Sequence, residues 1–251
     1  MIEKITLGTY EGVTILRDDL LPGGTKSIIL PDLLDTKSFD ELVYASPVYG
    51  GFQIALALYC KKIGKKATIF CARRAIKHPN TVAVLKAGAK IVEVDHGYLS
   101  VVQARARDYV YAGLVDKRLP SQYLIPFGAK SDISRNRLVN RVKMVIKKLG
   151  KEPDEIWCAV GSGLLFEAIL IGTKKARVCG VIVGKDFSLS KDVNFSPSLG
   201  LRAHLYNYPR SFDKPSKVLP PFPSTSNYDA KAWDLCVQYK IGKTVLFWNV
   251  L

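Results

Sequence analysis

From Glu41 onward, short apolar runs alternate with stretches whose apolar residues return every three or four positions. The runs at 42–45, 67–71, 90–94, 123–125, 156–160 and 178–183 predict strands, because their length and β-branched or aromatic content suit a buried pleated surface. A 3.6-residue period predicts helices at 51–63, 80–87, 99–112, 133–149 and 163–171. Gly64, Gly88, Gly113 and Gly150 stand where the first four of these should stop. After Gly184 the pattern gives way to sequence rich in Pro, Ser and Asn. A last helical stretch at 228–239 and an apolar end at 244–250 follow.

Strands alternating with helices predict an α/β protein with a mostly parallel sheet, since parallel neighbours need a crossover of helical length. A chain of 251 residues can bury one substantial core or two small ones, and its 48% hydrophobic content suits a folded chain. No apolar run reaches membrane-spanning length, and the N-terminus lacks the three-part pattern of a signal peptide. Cys60, Cys71, Cys158, Cys179 and Cys236 form no CxxC pair and no metal-ligand spacing, so they read as reduced, buried thiols. A cytoplasmic protein without a metal site is the expectation.

Charge changes the picture. Thirty-seven Lys and Arg against twenty-two Asp and Glu leave a formal +15, which attracts nucleic acid, acidic membrane or phosphorylated substrates. The basic residues cluster: Lys61, Lys62, Lys65 and Lys66; Arg73, Arg74 and Lys77; Arg135, Arg137, Arg141, Lys143, Lys147 and Lys148; Lys174, Lys175 and Arg177. Solvated helix faces would show the same clusters.

Two glycine-rich turns join predicted strands to helices. Gly161-Ser162-Gly163 opens one helix, where backbone N–H groups and the helix dipole can hold an anion. It is not a dinucleotide fingerprint, because Phe166 occupies the third glycine position. The other turn, which comes first in the chain, runs Ser46-Pro47-Val48-Tyr49-Gly50-Gly51. Either turn could instead be an ordinary tight connection. Gly242-Lys243-Thr244 and Gly24-Thr25-Lys26-Ser27 resemble the end of a P-loop, but Val237 and Asp19 stand where that motif needs glycine. Near the C-terminus, Ser226 or Asn227 can cap a helix whose first turn carries Asp229. His78, His96 and His204 lie far apart and read as structural.

In this order the pieces resemble one family. Lys26 after Gly23-Gly24, Ala45-Ser46 leading to Gly50-Gly51, Gly161-Ser162-Gly163 and Tyr228-Asp229-Ala230-Lys231 are similar to the motifs of the fold-type II pyridoxal-phosphate enzymes, the tryptophan synthase β-like superfamily. The nearest branch is that of aminocyclopropane-carboxylate deaminase and D-cysteine desulfhydrase. His78-Pro79-Asn80-Thr81 and Gly88-Ala89-Lys90-Ile91-Val92 fit the same superfamily, and the resemblance spans most of residues 10–240.

The resemblance implies two open, mostly parallel-sheet α/β subdomains with the cofactor in the cleft between them. Residues 1–38 with 122–251 would form the larger, cofactor-binding domain, and 39–121 a smaller inserted one. Pyridoxal 5'-phosphate is the implied cofactor. Lys26 would form its internal Schiff base, and Gly161, Ser162 and Gly163 would hold its phosphate. Asp229 would face the pyridine nitrogen, keeping it protonated as an electron sink. Tyr228 would stand beside the ring or substrate as a catalytic partner of Lys26. The first glycine-rich turn brings in Tyr49, Gly50 and Gly51. The superfamily's usual Asn falls near Val48-Tyr49, so a tyrosine hydroxyl replaces its contact or the contact is lost. The C-terminal third is short for the family, which implies wider access to the pocket. The family also implies a homodimer.

With the charge, the chain is similar to the pyridoxal-phosphate enzymes of bacteriophage thymine hypermodification. That likeness implies a lyase decarboxylating an amino acid attached to the 5-position of thymine in DNA, acting in the host cytoplasm. The 5-position projects into the major groove, and Arg135, Arg137, Arg141, Lys61, Lys62, Lys65 and Lys66 are the candidate phosphate contacts. The alternatives are a deaminase or desulfhydrase of a small free amino acid, and a non-catalytic nucleic-acid-binding protein on this fold.

Overall fold

The computed structural model describes residues 4–34, 39–95, 97–115, 121–184 and 201–251. Its strands in chain order are β1 (Leu7–Tyr10), β2 (Val13–Arg17), β3 (Glu41–Ala45), β4 (Lys66–Ala72), β5 (Lys90–Val94), β6 (Gln122–Leu124), β7 (Glu155–Val160), β8 (Arg177–Ile182), β9 (Ala203–Asn207) and β10 (Val245–Asn249). The helices are α1 (Leu30–Leu34), α2 (Phe52–Ile63), α3 (Pro79–Lys86), α4 (Leu99–Val115), α5 (Asp132–Leu149), α6 (Leu164–Gly172) and α7 (Asp229–Tyr239). A short 3-10 turn covers Thr25–Ile29. The chain divides into two units, Met1–Ile29 with Ser131–Leu251, and Leu30–Lys130.

The first unit is built on a sheet of order β1-β2-β10-β7-β8-β9. Only the β1–β2 pair is antiparallel among its described pairings. β7 and β10 are buried along their whole length, as expected of inner parallel strands covered on both faces. Strand alternation decides which helix each residue meets. Cys179 and Val181 join a core with Trp157, Trp233 and Phe247 on the α7 side. Gly180, between them, faces α6 so closely that a Cβ would lie 2.7 Å from the Phe166 ring. Ser131 starts α5 by accepting the Ser134 N–H at 3.1 Å, and Gly150 ends it.

The second unit holds a fully parallel sheet, β5-β4-β3-β6. Val43, Ala45, Phe70 and Val94 pack on Val102 and Ala106 of α4. Glu41 is buried at the start of β3, where it accepts from Tyr109 Oη at 3.1 Å and Gln122 Nε2 at 2.7 Å. Those bonds tie β6 and α4 to the sheet's inner strand.

Several expectations need correction. Residues 122–130 belong with the second unit, not with the larger one: β6 pairs with β3, the Ile125 N–H donates to Val43 O, and the Gly128 N–H donates to Tyr44 Oη. Three residues cannot be read as a strand's allegiance from sequence alone. The other expected boundary, after residue 38, also moves: the second unit begins at Leu30, so α1 belongs with it and not with the larger unit. Residues 35–38, His96 and residues 185–200 lie outside the described residues. α4 does not stop at Gly113 but runs to Val115. Gly113 instead lies where the Gln122 side chain approaches, and a Cβ there would meet Gln122 Oε1 at 2.4 Å and make that side chain shift. Neither Ser226 nor Asn227 caps α7. The N-cap is Tyr228, without a side-chain cap, while Asn227 Nδ2 donates to Phe212 O at 3.0 Å. β1, β2 and β9 had no expectation because they are short and only partly apolar.

The arginines of α5 are corrected most sharply. Arg135 is 8% exposed and Arg141 1%. Arg135 pairs with Glu167 of α6 at 3.3 Å, and Arg141 with Asp18 at 2.5 Å. Arg137 Nε donates to Ile28 O at 3.3 Å. Arg135 and Arg141 therefore cannot contact DNA phosphates. They fall on the same helical face as Leu138, Val142 and Val145, and a basic residue there goes into the core with a partner.

Candidate functional site

The first unit places Lys26 beside the second glycine-rich turn. Gly161, Ser162 and Gly163 connect the end of β7 to α6, and with Thr25, Lys26 and Tyr228 they line one small, open cavity. Ala159, Leu164, Leu165 and Val250 complete its wall. Five residues expected to act together, Lys26, Gly161, Ser162, Gly163 and Tyr228, are thus brought to one cavity across roughly two hundred positions of sequence.

Each is held for a local reason. Lys26 sits in the 3-10 turn after Gly24, whose φ of +69 favours glycine. A Cβ on Gly24 would also lie 2.1 Å from Val250 O, so this turn packs directly on the end of β10. At Gly161 the constraint is contact, because a Cβ would lie 2.9 Å from the Tyr228 hydroxyl. Tyr228 itself adopts φ −130, ψ −90 as the chain enters α7. Gly163 is the N-cap of α6, so the first N–H groups of a nine-residue helix open at the cavity wall.

Asp229 is completely buried and does not line the cavity. One carboxyl oxygen accepts the Leu251 N–H at 3.2 Å, and the other, Oδ1, has no hydrogen-bond partner. Burial pushes its pKa well above the ordinary carboxyl range, against the backbone N–H bonds from Val250 and Leu251, with Asp19 adding to the rise. An unsatisfied buried acceptor costs about 1–3 kcal/mol, so a donor brought to Oδ1 would relieve it.

Tyr49, Gly50 and Gly51 lie in the second unit. Asn80 Nδ2 donates to Tyr49 O at 3.1 Å and to Gly50 O at 3.4 Å. From below, Gln53 Nε2 donates to Val48 O at 3.0 Å and Gly50 O at 2.9 Å. The Tyr49 ring meets His78 edge-on at 4.8 Å, and His78 Nδ1 accepts the Asn80 N–H at the start of α3. His78 is therefore structural, as expected. Sequence reasoning missed Gln53 and Asn80 as braces of this turn; each lies within a few residues of a proposed helix start, which was the available signal.

It also missed Asp18. This residue is 0% exposed and accepts from Arg141 Nη2, Thr25 Oγ1 and Trp248 Nε1. The sequence offered no signal that residues 18, 25, 141 and 248 converge.

No protein-family model matches the chain, and no curated protein matches it. Solved structures do. A structure described as an ACC deaminase homologue matches with a TM-score of 0.77 and 20% identity, covering 95% of this chain and 83% of that one. A hydrogen sulfide-producing enzyme from Fusobacterium nucleatum gives 0.65 and 13%, covering 98% and 94%. An O-acetylserine dependent cystathionine beta-synthase from Helicobacter pylori gives 0.68 and 14%, covering 99% and 93%. The chain has the fold of these proteins, the fold-type II architecture that its sequence motifs resemble.

Proposed function

We propose that this protein is a pyridoxal-phosphate-dependent lyase acting on an amino acid. The observation that carries this is the placing of Lys26 on one cavity with Gly161, Ser162, Gly163 and Tyr228. When bound, pyridoxal phosphate supplies an electron sink for the bond broken at the substrate Cα. The chain's residues supply the rest. Ser162 and the N–H groups opening α6 suit a phosphate, which the helix N-terminus favours. The Lys26 amine would hold the cofactor and would move a proton at the substrate Cα. Tyr228, against Gly161, bounds the space beside them. Asp229, next in sequence to Tyr228 and with its Oδ1 unpartnered, would be the acceptor for the cofactor's ring nitrogen.

As substrate we assign an amino acid carried on the 5-position of thymine in DNA, from which the carboxylate is lost. The support is the +15 charge and its exposed portion. Lys61, Lys62, Lys65 and Lys66 are exposed, at the end of the second unit's sheet opposite the Gly50–Gly51 turn. Arg73, Arg74 and Lys77 are exposed at the same edge as that turn, following the C-terminus of β4. They replace the buried Arg135 and Arg141 as phosphate contacts, although Arg73 and Lys77 are partly neutralised by Glu93 and Asp95. A second reading, deamination or desulfhydration of a small free amino acid, is favoured by the structural neighbours described as an ACC deaminase homologue and a hydrogen sulfide-producing enzyme.

Purified protein given pyridoxal phosphate should gain a visible absorption band that Lys26→Ala abolishes. Protein that stays colourless overturns both readings. The substrate is decided by product: carbon dioxide from modified DNA, with activity falling steeply as salt rises, or ammonia from D-cysteine with little salt dependence.

A further inference from the structure

We propose that the buried Asp18–Arg141 ion pair is a positioning device for Lys26, acting through the Thr25 hydroxyl and the Trp248 indole. The inference rests on the reading of Lys26 as the cofactor-bearing amine.

Arg141 Nη2 donates to Asp18 Oδ1 at 2.5 Å and to Lys4 O at 3.0 Å. That leaves Asp18 Oδ2 to take two donors, Thr25 Oγ1 and Trp248 Nε1, each at 3.1 Å. Trp248 Nε1 also lies 3.1 Å from Thr25 Oγ1, which closes a triangle of polar atoms in the core. The indole has a fixed origin, because Trp248 is paired with Leu16 on one side and Cys158 on the other. Thr25 is anchored a second time through its backbone, whose N–H donates to Val250 O at 3.0 Å. Beyond Lys26 the turn is closed by Ser27 Oγ, which donates to Gly24 O at 2.7 Å.

A buried ion pair is a poor choice for stability alone. Desolvation costs several kcal/mol per ion, and apolar residues of similar volume often do as well. What the pair provides is direction. Arg141 fixes the carboxylate plane, the free oxygen then fixes the hydroxyl of Thr25, and the next Cα is that of Lys26. A lysine amine rides on a flexible four-carbon stem, so its reach is set by where its backbone is held. Placement to within about half an ångström is what reacting groups require.

The test uses Thr25→Val, which removes the hydroxyl link but keeps the ion pair, and Thr25→Ser, which keeps the link. Two readouts are taken. In cofactor-free protein, trace acetic anhydride labels Lys26 in competition with Lys61, and peptide mass spectrometry gives the ratio. In parallel, pyridoxal phosphate is trapped on Lys26 with borohydride. Thr25→Val should change the acetylation ratio by about threefold or more and lower trapping about tenfold, while Thr25→Ser matches wild type in both. Should Thr25→Val fail to fold, Trp248→Phe should shift both readouts in the same direction to a smaller extent. Wild-type values in Thr25→Val, or an equal loss in Thr25→Ser, would overturn the positioning role. Wild-type protein that traps no cofactor on Lys26 sinks the cofactor reading instead, and the acetylation ratio still decides this one.

Discussion

Gly161 and Tyr228 are in contact that leaves no room for a methyl group, with the tyrosine hydroxyl 2.9 Å from where a Cβ would stand. The glycine therefore sets the position of the tyrosine on the cavity wall. Gly161→Ala should push the Tyr228 ring aside and lower stability by about 1–3 kcal/mol, the usual cost of overpacking. Affinity for pyridoxal phosphate should fall more, roughly tenfold or beyond, corresponding to ~1.4 kcal/mol per decade. Thermal unfolding with and without cofactor separates the two effects.

Asp229 gives a pH signature. Its folded pKa is raised by burial above the ordinary value of 3.8. Its contribution to stability is therefore fully present below that value and is lost as pH rises through the folded pKa. Asp229→Asn mimics the protonated acid, so the cofactor-free variant should lose less stability than wild type as pH is raised from about 4 to 8. Urea unfolding across that range checks this. Cofactor binding by the variant should weaken over the same range.

Glu152 should behave with the opposite sign. Burial raises its pKa, but N–H groups of Ala176, Lys175 and Lys174 outweigh it and hold the carboxyl below its usual range. The two closest donors lie at 2.6 Å. This contribution is present above the unfolded pKa and is lost as pH falls through the folded one. Glu152→Gln should cost about 1–2 kcal/mol at neutral pH and much less in acid, measured by denaturant unfolding at both.

The thiols should be inert. All five cysteines are free and buried, and burial pushes Cys60 and Cys179 up to about 12. An aromatic disulfide reagent should titrate none of them at neutral pH until denaturant is added, and then all five. Rapid reaction of a thiol in the folded protein would contradict the burial described.

Much of the fold was legible in the chain. Strands such as β3, β7 and β10 are apolar runs with a polar residue only at one end, as parallel strands buried on both faces need to be. Helix stops at Gly64 and Gly150 were readable because a left-handed residue there is nearly always glycine. Gly113 was misread for a complementary reason: glycine also appears where another chain segment approaches, and Gln122 approaches it from nine residues away.

The sequence by itself determined the alternation of strands and helices, the two glycine-rich turns and the place of Lys26 just after Gly23-Gly24, since each depends on residues close together in the chain. Only the tertiary structure decided which sheet takes β6, that Arg135 and Arg141 turn inward, and that Asp18, Thr25 and Trp248 converge behind Lys26. These depend on partners up to two hundred and thirty positions away. A charged side chain on a helix is solvated or buried according to whether such a partner waits in the core, and local pattern carries no record of that partner.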